Sequence, residues 1–393
     1  MLSLGLLVAN SALAHPGHSS HAEAAERAEF FNRSPKTVRS CASDLVGRGL
    51  KESMMMRRAE LAGKVRAKRN LTADKPLVRR DFAAYNFSHE ATGSYGGDEL
   101  ALFEDDSSCI LQPEVTQGPY YIDGELIRRD IVEDQEGVPL YLDIQLVDTS
   151  TCEPVPAVVS RLMRLKTIST ETLTWTQFMD IWHCNSTGVY SGTVASGNGN
   201  SDDETNLDNT FLRGIQESDS NGVVQFETLV PGHYTGRATH IHVLTHNINE
   251  TTIRTNGTIL GTNFTTFASH VGQIFFDQDL ISQVEETAPY NTNTQELTLN
   301  SEDDILSSEA ADMDPFVEYV MLTDDISDGI LAWISIGIDP TVDDDVSSAG
   351  SYYKSGGVAN ENSGMGMGGG GAPPGGISGS TPSMPSGTAA PSS

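Results

Sequence analysis

Leu140, Leu142, Ile144 and Leu146 alternate with Tyr141, Asp143 and Gln145, and a period of two is that of a strand with one apolar face. Val223-Val-Gln-Phe-Glu-Thr-Leu229 follows the turn Asp219-Ser-Asn-Gly222 and has the same character. From about residue 108 onward such short strands recur between Gly, Pro and Asn turns, which predicts a mainly β chain folded as a β-sandwich. Upstream the texture differs. Residues 20–70 are rich in Ala, Glu, Arg, Lys and Met, strong helix formers, and predict one or two helices within an N-terminal extension over 15–80. Met54-Met55-Met56 reads there as helix packing. Residues 364–393 are low-complexity Gly, Pro and Ser, cannot bury a core, and predict a disordered tail within a C-terminal segment, 346–393.

Charge changes the picture of partners. The chain has 393 residues and a net charge of −30, unevenly placed: residues 1–80 hold 15 Lys/Arg against 7 Asp/Glu, and residues 81–393 hold 9 against 47. A body that acidic repels nucleic acid and anionic membrane surfaces, so neither is expected as a partner. The basic stretch reads as a solvated helix with its charges toward water rather than as a polyanion-binding arm. Met1–Ala14 ends in Ala-Leu-Ala and reads as a secretory signal peptide; no later stretch has the apolar length of a membrane span. Two features agree with a secreted glycoprotein. Asn-X-Ser/Thr sequons stand at Asn32, Asn70, Asn86, Asn185, Asn249, Asn256 and Asn263. Cys41, Cys109, Cys152 and Cys184 suit two disulfides in an oxidising compartment, with three pairings open.

The candidate chemistry lies in Tyr190, Tyr234, His240 and His242. Strand alternation puts His240 and His242 on one face and Ile241 on the other. Imidazole suits iron, copper and zinc, whereas a phenol joins a metal only once ionised. Two phenolates with two imidazoles therefore favour a strongly charged ion such as ferric iron. Cleavage after Ala14 would also expose His15-Pro-Gly-His18, a copper-clamp pattern that nothing else in the chain supports.

Pro231-Gly-His-Tyr-Thr-Gly-Arg-Ala-Thr-His-Ile-His242, together with Asp180-Ile-Trp-His-Cys-Asn-Ser-Thr-Gly-Val-Tyr-Ser191, resembles the intradiol ring-cleavage dioxygenases, specifically their secreted fungal branch. The likeness continues through Gly118-Pro-Tyr-Tyr121, Thr210-Phe-Leu-Arg-Gly214, Gly272-Gln-Ile-Phe-Phe276 and Trp333-Ile-Ser-Ile-Gly-Ile338, and covers roughly residues 20–340. It implies a prealbumin-like catalytic β-sandwich over 105–345 and a non-haem Fe(3+) cofactor. It further implies cleavage of catechol-type rings by O2 between the two hydroxyl-bearing carbons, giving cis,cis-muconate-type products. A homodimer fits the same resemblance. Tyr190 and His240 would be equatorial ligands, Tyr234 and His242 axial ones, with Tyr234 leaving on substrate binding to act as a base. Arg237 would stabilise charge developing on a ring carbon, and Gln273 would stand near that carbon. Gly118, Pro119, Tyr120 and Tyr121 would line the substrate mouth, although both tyrosines read equally well as packing. His183, Cys184, His233 and His246 read as structural. The competing function is a non-catalytic aromatic-binding module on the same sandwich, against which the complete ligand set argues.

One stretch departs from the resemblance. Residues 159–177 intervene between Cys152-Glu-Pro-Val-Pro-Ala-Val158 and the ligand-bearing strand, and carry Arg161, Arg164 and Lys166 in otherwise acidic surroundings. Val159-Ser160 can be encoded GTG-AGT, Leu173-Thr174 CTG-AC, and Gln177 CAG: donor, branch point and acceptor of an in-frame 57-nucleotide intron. The segment reads as a translated intron. The alternative is a genuine surface insertion, with the strand resuming near Phe178.

Overall fold

The computed structural model describes residues 41–71, 100, 103, 108–110, 120–155, 177–195, 197–200, 202–247, 252–253, 258–260, 265–268, 270–310, 314–340 and 344–360. The segment read as a signal peptide, Gly118, Pro119, residues 159–176 of the stretch read as an intron or insertion, and the tail beyond 360 lie outside them.

Two helices, α1 (Ala42–Gly47) and α2 (Leu50–Arg69), precede the sheets. The strands are β1 (Ser108–Ile110), β2 (Ile122–Asp123), β3 (Pro139–Asp148), β4 (Gln177–Trp182), β5 (Arg213–Glu217), β6 (Val223–Leu229), β7 (His240–Asn247), β8 (Thr252–Ile253), β9 (Ile259–Leu260), β10 (Thr265–Ala268) and β11 (His270–Phe275). Helices α3 (Gln278–Glu285) and α4 (Asp304–Ala310) follow, then β12 (Glu318–Met321), β13 (Ile330–Ile338), β14 (Asp344–Ser347), β15 (Gly350–Tyr353) and β16 (Gly356–Ala359).

Two sheets face each other as the alternation predicts. In one, β13 lies parallel to β1 and β3, while β12 runs antiparallel to β13 and β6 antiparallel to β3. The other has the order β11-β7-β4-β5, antiparallel throughout. Leu140, Leu142, Ile144 and Leu146 of β3 enter one core with Phe226, Ile334 and Ile336, and from the second sheet with Met179, Ile181, Ile241, Val243 and Ile274. Inward side chains from both sheets filling one layer make this a β-sandwich.

The polar face of β3 is not left in water. Helix α2 covers it, burying Met54, Arg58, Leu61, Ala62 and Val65, a spacing that forms one helical stripe. Leu61 and Val65 pack with Tyr141, Leu331 and Trp333. Asp143 is fully buried and accepts from Arg57 at 2.9 and 2.8 Å, while the Arg58 guanidinium lies 5.3 Å from the Trp333 ring centre. Burial opposes ionisation of Asp143, and the Arg57 bonds outweigh it, holding its carboxyl below the usual range. The reading of this helix as simply solvated is thus corrected: two of its arginines neutralise a carboxylate set mid-strand, while Lys64 and Lys68 keep to the surface. Met54 is buried and Met56 exposed, consistent with packing. Among the described residues no helix is long and apolar enough to cross a membrane.

Cys41 and Cys152 form a disulfide joining the start of α1 to the turn after β3. Cys184 is instead a free, buried thiol, so the expected second bridge does not form. At the C-terminal side β15 pairs with β2 and β16, carrying the ordered fold through Ala359. The boundary read at 346 therefore falls too early. Composition did not reveal these strands because Gly350 to Ala359 is rich in Gly and Ser.

Candidate metal centre

Strand β7 presents His240 and His242 on the face opposite Ile241, which enters the core. Its neighbours bring Gln273 on β11 and Trp182 on β4 opposite His242. Trp182 stacks on the His242 ring, centroids 4.9 Å apart and planes 1° from parallel. The contact fixes the plane in which that imidazole can offer a lone pair.

Tyr190 arrives on the loop after β4. Asn185 opens it by accepting through Oδ1 from the Thr187 and Val189 amides, both at 3.1 Å, an Asx turn of the sort Asn favours. Gly188 follows at φ +80° with the His233 carbonyl and the Gln295 amide pressed where a Cβ would stand, so only glycine fits. Tyr190 is then framed on both sides of its backbone. Its N–H donates to Asn198 Oδ1 at 2.8 Å. Its carbonyl accepts from Asn198 Nδ2 at 2.9 Å and Asn206 Nδ2 at 2.7 Å.

Tyr234 sits on a tighter, weaker turn. Only a 3.4 Å bond from the Arg237 amide to its carbonyl closes it, with Gly236 at φ +91°. Upstream, His233 is anchored through Nδ1 to Glu285 at 2.8 Å and Nε2 to the Gln295 carbonyl at 3.0 Å.

The four expected donors converge. Tyr234 Oη lies 3.3 Å from His240 Nε2, which lies 3.1 Å from His242 Nε2. The Tyr190 and Tyr234 rings meet edge-on with centroids 5.6 Å apart. His240 Nδ1 is 2.6 Å from the Ala238 carbonyl, a contact that requires an N–H there and leaves Nε2 with its lone pair. Burial raises both phenols well above their ordinary range, with the other tyrosine adding to the effect at Tyr190. The buried Tyr190 hydroxyl has no partner of proper hydrogen-bond geometry, although it is close enough to Tyr234 for the two phenols to couple. Neutral imidazole nitrogens facing each other beside an unpartnered phenol fit a cation between them. A trivalent ion would be balanced to near +1 by two phenolates, so the donor chemistry suits ferric iron better than a divalent ion.

Beside the donors, a buried Arg237 donates from Nε to Asp303 Oδ2 at 2.9 Å and from a terminal nitrogen to Gln273 Oε1. Burial works against the guanidinium charge, and Asp303 more than offsets it, so Arg237 stays charged. Asp303 also accepts from the Ala238 amide at 2.8 Å and, through Oδ1, from Ile305 and Leu306 at 2.8 and 3.1 Å, capping α4. Gln273 Nε2 is buried without a partner. Tyr120 stacks on Tyr190 at 4.5 Å, and Tyr121 packs on Trp182 at 5.2 Å. Tyr120 thus walls the cluster directly, and Tyr121 supports it from behind. The structural readings of the other histidines hold. His183 is buried between the Cys184 carbonyl at 2.8 Å and Thr228 Oγ1 at 2.7 Å, and burial pushes its pKa down to about 4. His246 Nε2 lies 3.2 Å from Asp180.

Sequence reasoning missed Asp303, Asn198 and Asn206, and assigned no role to Trp182. Trp182 alone carried a signal, standing on the same strand face as Asp180 at the end of β4.

No protein-family model and no curated protein matches the chain. Among solved structures it is similar to an intradiol ring-cleavage dioxygenase from Tetranychus urticae, at 29% identity over 59% of this chain and 96% of that one, with a TM-score of 0.43. It is also similar to hydroxyquinol 1,2-dioxygenase from Pseudomonas putida DLL-E4, at 16% identity over 59% and 67% with a TM-score of 0.33. Catechol 1,2-dioxygenase from Acinetobacter sp. ADP1 matches at 15% identity over 61% and 65%, also with a TM-score of 0.33.

Proposed function

We propose that this chain is a secreted, iron(III)-dependent intradiol dioxygenase that opens catechol-type rings between their two hydroxyl-bearing carbons with O2, giving cis,cis-muconate-type products. The observation that carries the reading is the convergence of Tyr190, Tyr234, His240 and His242 in one buried cluster, with the Arg237–Gln273 pair beside it.

Those four side chains would hold the iron, which when bound supplies a Lewis acid that chelates the diol and makes its ring reactive toward O2. Tyr234, on the less anchored turn, is the donor able to yield its place, and its freed phenolate oxygen takes a proton from the incoming diol. Arg237 offers a fixed positive charge to the ring carbon that gains electron density. Gln273 accepts from Arg237 through Oε1 and keeps an Nε2–H pair for an oxygen of the substrate. Tyr120 and Tyr190, stacked together, present flat apolar surface to a planar ring. The Cys41–Cys152 bridge supports an oxidising destination. Of the sequons with described side chains, Asn70 is exposed, whereas Asn185 commits its Nδ2 to Gln135 Oε1 and its Oδ1 to the loop before Tyr190.

The test is the visible spectrum of iron-loaded protein and oxygen uptake over a panel of catechols with product identification. A tyrosinate-to-iron absorption band with ring-opened muconates is expected. Iron-loaded protein without the band and without uptake on any catechol would sink the reading.

A further inference from the structure

Arg213 opens β5 directly opposite Trp182 and is buried, yet nothing in the reaction outlined above uses it. Its Nε donates to the Ser191 carbonyl at 3.0 Å and to Ser191 Oγ at 3.1 Å, and one terminal nitrogen donates to the same carbonyl at 2.8 Å. The other terminal nitrogen donates to Glu125 Oε1 at 2.9 Å. Ser191 Oγ donates a hydrogen bond to the Phe211 carbonyl at 2.6 Å. Ser191 is the residue after Tyr190, so a planar, permanently charged fork grips the backbone where the ligand loop leaves the metal cluster. The two asparagines hold that backbone from its other side.

We propose that Arg213, held in place by Glu125, is a positioning residue that seats Tyr190 in the metal cluster; the proposal rests on the iron-site reading above. A buried guanidinium is costly unless paired. Glu125, from the segment after β2, accepts its terminal N–H, but burial and the neighbouring Asp180 raise the Glu125 carboxyl well above the usual range. The counter-charge therefore belongs to a Glu125–Asp180 carboxyl pair that shares a proton. The fork geometry matters as much as the charge. Lysine could keep the ion pair but not two donors on one carbonyl. Behind Glu125 stands Asp180 of β4, with Asp123 of β2 nearby and His246 of β7 on the far side of Asp180. The Glu125 and Asp180 carboxyls hydrogen-bond each other, which requires a proton on one of them, since Glu125 Oε2 and Asp180 Oδ1 have no other partner. Glutamine at position 125 keeps an oxygen for Arg213 and gives Asp180 a fixed N–H in place of the shared proton, so Glu125→Gln removes the ionisable partner of Arg213 with little disturbance of the fold.

The full chain is loaded with Fe(3+) as wild type, Arg213→Lys and Glu125→Gln, and each is read by its tyrosinate-to-iron band and by the rate of iron loss to a chelator. Arg213→Lys should shift the band and speed iron loss roughly 10–100-fold, the usual reach of residues that orient metal ligands. Glu125→Gln should move both readouts in the same direction by less. The Arg213→Lys shift should persist in a Tyr234→Phe background, where Tyr190 alone contributes to the band. A melting-temperature change with unaltered band and iron loss would reduce Arg213 to a structural role and overturn the proposal. So would a shift that vanishes once Tyr234 is gone. Should Arg213→Lys fail to fold, Glu125→Gln decides by the same readouts. Wild-type protein that takes up no iron would instead defeat the functional reading, a result distinct from either of these.

Discussion

Tyr190 and Tyr234 meet edge to face within one cluster, but the chain holds them by different means. Around Tyr190 two buried asparagines satisfy both backbone groups, and a buried Arg–Glu pair grips the following residue. Around Tyr234 the backbone of the tyrosine itself has one 3.4 Å bond, and the turn is tied down at its flanks instead: Asn293 Nδ2 donates to the His233 carbonyl at 2.7 Å, the Glu296 amide to Thr235 Oγ1 at 3.2 Å, the Gly236 amide to Thr298 Oγ1 at 2.9 Å and the Ala238 amide to Asp303 at 2.8 Å. Tyr190 is 1% exposed and Tyr234 6%. A ligand that stays needs a backbone with no alternative partners, whereas a ligand that leaves needs a turn able to flex. In the proposed site Tyr190 would be the first kind and Tyr234 the second.

Removing each phenol should break that pair asymmetrically. Tyr190→Phe should lose tightly held iron and with it all turnover. Tyr234→Phe should keep part of the iron, shift the colour, and lower kcat by about 10²–10⁴-fold through loss of the base. Iron analysis, spectra and oxygen uptake on the two variants decide the matter, and equal iron loss from both would erase the distinction. Arg237→Ala belongs with neither. It should keep iron and colour and lose activity, since Arg237 contributes charge rather than ligation.

The supporting residues sharpen the contrast at smaller scale. Asn206→Ala strips one donor from the Tyr190 carbonyl and another from Thr193. Leaving buried carbonyls short of partners should cost about 1–3 kcal/mol. Thr298→Ala removes a half-buried acceptor from the Tyr234 turn and should cost under about 1 kcal/mol. Denaturant unfolding of metal-free protein measures both. Comparable costs would mean that the two loops are equally braced.

How far this was legible from sequence depends on range. The period of two along β3 and β7 fixed the faces of Leu140, Ile241, His240 and His242, because alternation is a local property. Donors within two short motifs were likewise local. Asp303 lies 66 residues from Arg237, and nothing in its surroundings distinguishes it from the many other carboxylates of an acidic chain. Asn198 and Asn206 fall in a polar run that reads as plain loop. Burial of Asp143 depended on a helix some 86 residues upstream. The inserted segment is a separate matter. β4 begins at Gln177, close to where the strand was expected to resume. Protein lacking residues 159–177 should fold better and bind iron more fully than the chain as written, and transcript sequencing across the junction tests the intron directly. Secreted protein yielding peptides from Leu165 through Gln177 would refute it.

The smallest effect is also the most diagnostic, because the carboxylates standing behind the two tyrosines titrate in opposite senses. Asp180, on the Tyr190 side, is raised by burial to about 7. Asp303, on the Tyr234 side, is lowered: burial opposes ionisation there, but Arg237 and the amides of Ala238 and Leu306 outweigh it. A raised carboxyl contributes stability that is present below its unfolded pKa of 3.8 and is lost as pH climbs to about 7. A lowered one contributes stability present above its unfolded pKa, lost as pH falls through the folded value. In metal-free protein, Asp180→Asn should therefore gain on wild type as pH rises from 4 to 7, by up to about 1 kcal/mol per pH unit. Asp303→Asn should show the reverse: a deficit at neutral pH that shrinks as the medium is acidified below about 4. Asparagine keeps an oxygen for the N-cap of α4 but turns an NH2 toward the Arg237 and Ala238 donors, so the deficit reports the lost acceptor and charge pair rather than a frayed helix. In unfolding curves collected across that pH range, the stability of Asp180→Asn relative to wild type should rise with pH between about 4 and 7, and that of Asp303→Asn should fall with rising pH below about 4 and stay level above it. Parallel slopes would mean that the proton held near Asp180 resides elsewhere in the Glu125 network.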